Sequence, residues 1–365
     1  MSLFGTKPPD VNRRRFLERS LAVGAATAGT HFLSAEASAA DREDPGARRP
    51  LTKGDVAILR FLAAAEILET DLWQQYNELA GVDAASSGYL AALSVLDEDM
   101  NQYVSDNTDD EISHETFLNA YLESKGAPPV NLDAFRTLPS SAATGVPQIG
   151  RLTNLMQLTV DTSWWTRYRS QRNPDLGATF PQAIPSLSVG QHPAIPRNDA
   201  ELGDPNGVTP HIQAIANTAA FHFAFIEQGG SSLYAAMAQK ATNLEALRII
   251  VSIGPTETAH FQTWHDKAGN APAVTDGALV FPDLEAGPFE SDELFKKNLI
   301  MPEPCEFLSP SLPRCSIVRP TATAHAAMNT VVAFARDGLF IGQSREFFET
   351  LRTLAEQADA ARRLG

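Results

Sequence analysis

The chain has 365 residues, 43% of them apolar and 20% charged, enough to bury a core without disulfide or metal staples. Its formal net charge is −15, and the basic residues are scattered rather than gathered on one stripe, which argues against nucleic acid and anionic lipid surfaces as partners. Residues 1–40 hold five basic and three acidic side chains, so the remainder carries −17.

Those forty residues predict a targeting segment. Arg13, Arg14 and Arg15 precede Phe16-Leu17, a weakly apolar stretch runs from Leu21 to Leu33, and small residues follow at Ala37-Ser38-Ala39. This order is that of a signal peptide, and the paired arginines point to the Tat translocase, with a periplasmic or secreted destination. No later run reaches the ~18 apolar residues that a membrane span needs, so no membrane association is expected after processing.

Residues 41–126 read as a polar linker followed by helices. Ile58, Leu62, Ala65, Leu68, Leu72 and Tyr76 recur at spacings of three and four, predicting a helix from Asp55 to about Leu79 that Gly81 ends. A second helical stretch covers about 88–103 and breaks at Asn107. Thr108 and Glu111 have capping-box spacing and open a helix to Lys125. Residues 127–208 are rich in proline and read as a long insertion whose helical piece is Ile149 to Arg169. Residues 209–269 hold two more helices, one opening at Thr209-Pro210 and one following Asn243, where Pro255 is expected to cause a kink. Residues 270–365 read as a mixed extension of little period with a final helix from about Ser344 to Arg363. Cys305 and Cys315, the only two cysteines, are expected to pair after export.

Of eight histidines, only His114 and His260 have a glutamate three positions earlier, at Glu111 and Glu257. In a helix that spacing aims a carboxylate and an imidazole at one point. A single such pair is weak, and each has a bland reading, Glu111 as a capping acid and His260 as a core histidine. The other two helices each bring a glutamate within an apolar stripe, Glu66 and Glu227, and such residues are rarely buried unless paired or metal-bound. One Glu from each of two helices and Glu-x-x-His from two others form the ligand set of carboxylate-bridged dimetal bundles, whose oxygen and imidazole donors suit iron or manganese. His222 and His265 turn to other faces. Trp164-Trp165 with Arg167 and Arg169 read as packing of the insertion, with an access channel as the rival reading.

The stretches Ala65-Glu66-Ile67-Leu68-Glu69, Asp110-Glu111-Ile112-Ser113-His114, Ile226-Glu227 through Tyr234, and Glu257-Thr258-Ala259-His260 resemble the ferritin-like superfamily. Within it they resemble exported bacterial ferritin-like domain proteins related to plant desiccation-related proteins. The resemblance implies an all-α, ferritin-like four-helix bundle and a ligand set of Glu66, Glu111, His114, Glu227, Glu257 and His260 for two iron or manganese ions, with Glu111 and Glu257 as bridges. Trp73 stands where many relatives have tyrosine, and Tyr76 lies seven after Glu69, which keeps Glu69 as a rival to Glu66. The functions implied are redox chemistry on dioxygen or peroxide (ferroxidase, catalase-like or oxidase) or non-catalytic metal binding in stress protection. A metal-free bundle with hydrogen-bonded glutamates is the third reading.

Overall fold

The computed structural model describes residues 50–167, 180–284, 301–302, 304–318 and 323–364. The expected signal segment, residues 1–40, lies outside them. From Arg49 onward the chain forms one compact unit, mostly helical.

Helix α1, Lys53–Ala80, starts on a reciprocal cap: Asp55 N donates to Thr52 Oγ1 at 3.0 Å, and Thr52 N donates back to Asp55 Oδ2 at 3.0 Å. It ends where the Gly81 N–H meets Asn77 O at 2.8 Å. Glu66, Glu69, Asp71 and Gln75 are buried along it beside the aliphatic residues, so α1 is covered on nearly every side.

Helix α2, Gly88–Ser94, is short, and helix α3, Met100–Ser124, is continuous. The expected break at Asn107 and the cap at Thr108 are therefore absent. Short polar side chains interrupt a helix only when they compete for its backbone. Here the Thr108 hydroxyl bonds Val104 O on its own helix at 2.7 Å, and Asn107 is spent on carboxylates described below.

The described residues of 127–208 are mostly non-helical and carry three short α-helices: α4, Trp164–Arg167; α5, Pro185–Val189; and α6, Asp199–Leu202. The long helix expected from Ile149 to Arg169 does not form. That segment is tied down by extended bridges, Leu138 to Arg151 and Leu158 to His192, and by the buried Asp71 carboxylate. Asp71 Oδ2 accepts from Leu152 N at 3.0 Å and Thr153 N at 2.9 Å, while Oδ1 meets Arg136 at 2.7 Å. Backbone donors that would close helical turns are used by α1 instead.

Helix α7, Pro210–Ala238, follows the Thr209 cap with proline in its first turn, and helix α8, Leu244–Ala268, follows the Asn243 cap. α8 runs through Pro255 without interruption; the carbonyl that proline leaves unbonded belongs to Val251, which is 50% exposed and open to water. Beyond it, the described residues of 270–344 hold regular elements that their pattern did not suggest. Strands β1, Val274–Asp276, and β2, Leu279–Phe281, form an antiparallel hairpin turned by Gly277 at φ +59°. Helix α9, Ala326–Arg336, precedes the final helix α10, Arg345–Ala360.

α1 packs along α3 and α7 along α8, and α10 covers α1. Between the pairs sit Trp73, Tyr76, Phe223 and Trp264, with Trp73 stacked on Trp264 at 5.2 Å and on Phe223 at 4.9 Å. Cys305 and Cys315 exchange backbone hydrogen bonds across an antiparallel bridge, but the expected disulfide is not formed. The Cys315 thiol is exposed and directed at Ser316 O. No helix among the described residues is long and apolar enough to cross a membrane.

Candidate metal centre

Each of the four long helices turns at least one acidic side chain into a common interior point. Glu66 comes from α1, Glu111 and His114 from α3, Glu227 from α7, and Glu257 and His260 from α8. All four carboxylates are 0% exposed. One donor atom from each of Glu66, Glu111, His114 and Glu257 falls within 4.8 Å of the others, and the same holds for Glu111, Glu227, Glu257 and His260. Glu111 and Glu257 belong to both clusters.

His114 Nδ1 faces three carboxylates: Glu111 Oε2 at 3.1 Å, Glu257 Oε1 at 3.3 Å and Glu66 Oε2 at 3.4 Å. His260 Nδ1 lies 3.1 Å from Glu111 Oε1 and 3.3 Å from Glu227 Oε2. Each nitrogen faces more carboxylate oxygens than one N–H satisfies with good geometry, so nitrogen and oxygens surround a common point. Glu66 Oε2 and both Glu257 oxygens are buried without a hydrogen-bond partner; the 3.3 Å approach of Glu257 to His114 lacks hydrogen-bond alignment. A buried carboxylate oxygen left in that state is expensive unless a cation satisfies it. Four carboxylates also balance two divalent cations in charge. By donor type, convergence and unmet oxygens, the six residues could hold metal of the oxygen-preferring kind.

The electrostatics of the protein without metal point the same way. Burial pushes the Glu257 carboxyl well above the usual carboxylate range, and the Glu111 and Glu66 charges push it further. Burial and the Glu227 charge raise Glu111 to about 7 against the opposing pull of His114 and His260. For His114 and His260 burial alone lowers the pKa, but the surrounding carboxylates outweigh it and hold both imidazoles well above their ordinary value. Without cations the cluster retains protons in their place.

Several flanking residues escaped the sequence reading. Asn107 Nδ2 donates to Glu111 Oε1 at 2.8 Å and Glu227 Oε1 at 2.9 Å. Asp110 Oδ2 lies 3.1 Å from His260 Nε2, and the Tyr234 hydroxyl donates to Glu66 Oε1. The signal for Asp110 was its place immediately before Glu111; Asn107 was hidden by its helix-breaking reputation. Glu69 is buried near the cluster but belongs to neither group of converging donors, and burial with the Glu257 and Glu66 charges holds its carboxyl well above the usual range. Glu66 is therefore the α1 carboxylate beside His114. Tyr76, which had favoured Glu69, bonds His222 Nδ1 instead at 2.7 Å.

Trp164 and Trp165 are fully buried, with Trp165 stacked on His265 at 4.9 Å, so they pack the core rather than line a channel. The Arg167 side chain and Arg169 lie outside the described residues.

Residues 54–270 match the ferritin-like domain family. The chain belongs to that family, and the match spans all four helices that bring acidic side chains to the centre. No curated protein and no solved structure matches the chain.

Proposed function

We propose that this chain is an exported ferritin-like protein whose four long helices form the family's bundle around a carboxylate-bridged di-iron or di-manganese centre. Glu66, Glu111, His114, Glu227, Glu257 and His260 are the ligands, and Glu111 and Glu257 bridge. Residues 127–208 are an insertion into the bundle and 270–365 a C-terminal extension, and residues 1–40 direct export through the Tat translocase. The observation that carries the reading is the pair of overlapping donor clusters with unmet carboxylate oxygens at their shared edge.

A bound metal pair supplies one-electron redox steps to dioxygen or peroxide. The protein's own part is to keep four carboxylates dry, to orient Glu111, Glu227 and Glu66 through Asn107 and Tyr234, and to turn both imidazoles with Nδ1 towards the cluster, His260 being held at Nε2 by Asp110. The carboxylates are wholly enclosed, whereas the side chains of His114 and His260 are 10% and 11% exposed, so the imidazoles are the part of the cluster nearest to solvent. That enclosure also favours the rival function, metal holding without turnover in stress protection. Peroxide consumption by metal-loaded protein separates the two: turnover that His260→Ala abolishes supports redox chemistry, and full metal with no turnover of dioxygen or peroxide leaves the holding function. Export is tested by Arg13→Lys with Arg14→Lys, which should retain the protein in the cytoplasm; undiminished export removes the Tat assignment.

A further inference from the structure

We propose that the two metal positions are inequivalent, and that the one held by His260 fills before the one held by His114. The inference rests on the dimetal reading and concerns the residues behind the ligands. The two Glu-x-x-His helices are not copies of one another. On α3 the run is Asp110-Glu111-Ile112-Ser113-His114, and on α8 it is Thr256-Glu257-Thr258-Ala259-His260.

Asp110 crosses to the opposite helix and places Oδ2 3.1 Å from His260 Nε2. Its counterpart Thr256 carries no carboxylate and turns its hydroxyl onto Ser252 O of its own helix at 3.4 Å. A carboxylate on the far nitrogen fixes the ring's tautomer and orientation and makes the near nitrogen a better donor, typically a 10–100-fold effect on metal affinity.

A second difference points the same way. Four residues before Glu111 stands Asn107, whose amide holds both Glu111 and Glu227, two of the His260 position's carboxylates. Four residues before Glu257 stands Ile253, which has no polar group to offer. On the His114 side, Tyr234 holds Glu66, while the hold on Glu111 and the unpartnered oxygens of Glu257 are common to both positions. The His260 position is thus pre-organised by three side-chain contacts and the His114 position by two, and only the His260 position has a carboxylate behind its imidazole. Pre-organised ligands lose less freedom on binding. Asp110 acts through His260 as a positioning residue.

The test is titration of the full metal-free protein with Mn2+, following unbound Mn2+ by its EPR signal. Repulsion between two cations separates the steps whichever fills first, so the identity of the tight position decides. The expected result is two ions per chain, with the tight step lost in His260→Ala and kept within about twofold in His114→Ala. Asp110→Asn, at a half-exposed side chain, should weaken the tight step by about 10–100-fold while two ions per chain still bind at saturating Mn2+. Loss of the tight step in His114→Ala, or no weakening in Asp110→Asn, overturns the inference while leaving the dimetal centre standing. Absence of any Mn2+ uptake by the unmutated chain overturns both.

Discussion

Trp264 Nε1 lies 2.6 Å from Asn107 Oδ1, both side chains buried beside the acidic cluster. An indole N–H only donates, so the atom it meets is the amide oxygen, and the amide nitrogen must face the carboxylates. One asparagine thereby ties Glu111 of α3 to Glu227 of α7 and is itself held from α8. Asn107→Ala orphans the indole N–H and removes a donor from each carboxylate. Each buried group left unmet costs about 1–3 kcal/mol, and urea unfolding of the metal-free protein should show a loss of that order. An unchanged unfolding midpoint would mean the contacts are not made.

Glu66 and Glu69 lie one helical turn apart, both buried, and differ in whether a donor atom reaches the converging set. Glu66→Ala should remove metal from the His114 position, whereas Glu69→Ala should leave two ions bound. Metal analysis of the two variants checks this, and the opposite pattern would exchange their roles.

The acidity of Glu111 gives a pH signature. Its folded value of about 7 lies above the ordinary 4.5, so the metal-free folded state keeps a proton that the unfolded chain releases across that window. Its contribution to the stability of the metal-free protein therefore falls as pH rises from about 4.5 to 7. Metal takes the proton's place. The gain in melting temperature on adding metal should be larger at pH 7.5 than at pH 5.0; an equal gain at both would count against a proton-for-metal exchange.

His222 makes the opposite prediction in acid. Burial against α1 pulls its pKa from 6.5 to about 3, while its Nδ1 meets the Tyr76 hydroxyl. Below pH 6.5 the unfolded chain binds a proton that the folded chain refuses, so stability drops as pH falls towards 3, by up to about 1.4 kcal/mol per pH unit. His222→Gln should flatten that part of the acid-stability curve measured by urea midpoints. A curve of unaltered slope would assign the acid sensitivity elsewhere.

The converging side chains were legible in the sequence because two pairs of them have fixed spacing on a helix, and Glu-x-x-His survives as a local pattern. Capping chemistry marked Thr209 and Asn243 for the same reason: the signal and the structure lie within four residues. What stayed hidden depends on partners distant in the chain. Asn107 looks like a helix breaker until Trp264 and Glu227, more than a hundred residues away, occupy its side chain. The segment after Ile149 has helical composition, but Asp71 takes its backbone donors, an arrangement no local window contains. The choice between Glu66 and Glu69 likewise needed the rotation of α1 relative to α3, which period alone leaves open by one turn.

The most direct test of the dimetal centre is elemental analysis of the protein purified from its native compartment, paired with the double variant His114→Ala, His260→Ala. The account predicts two iron or manganese ions per chain in the unmutated protein and a collapse of that content in the double variant. A chain that carries no metal, or a double variant that keeps its full complement, would contradict it.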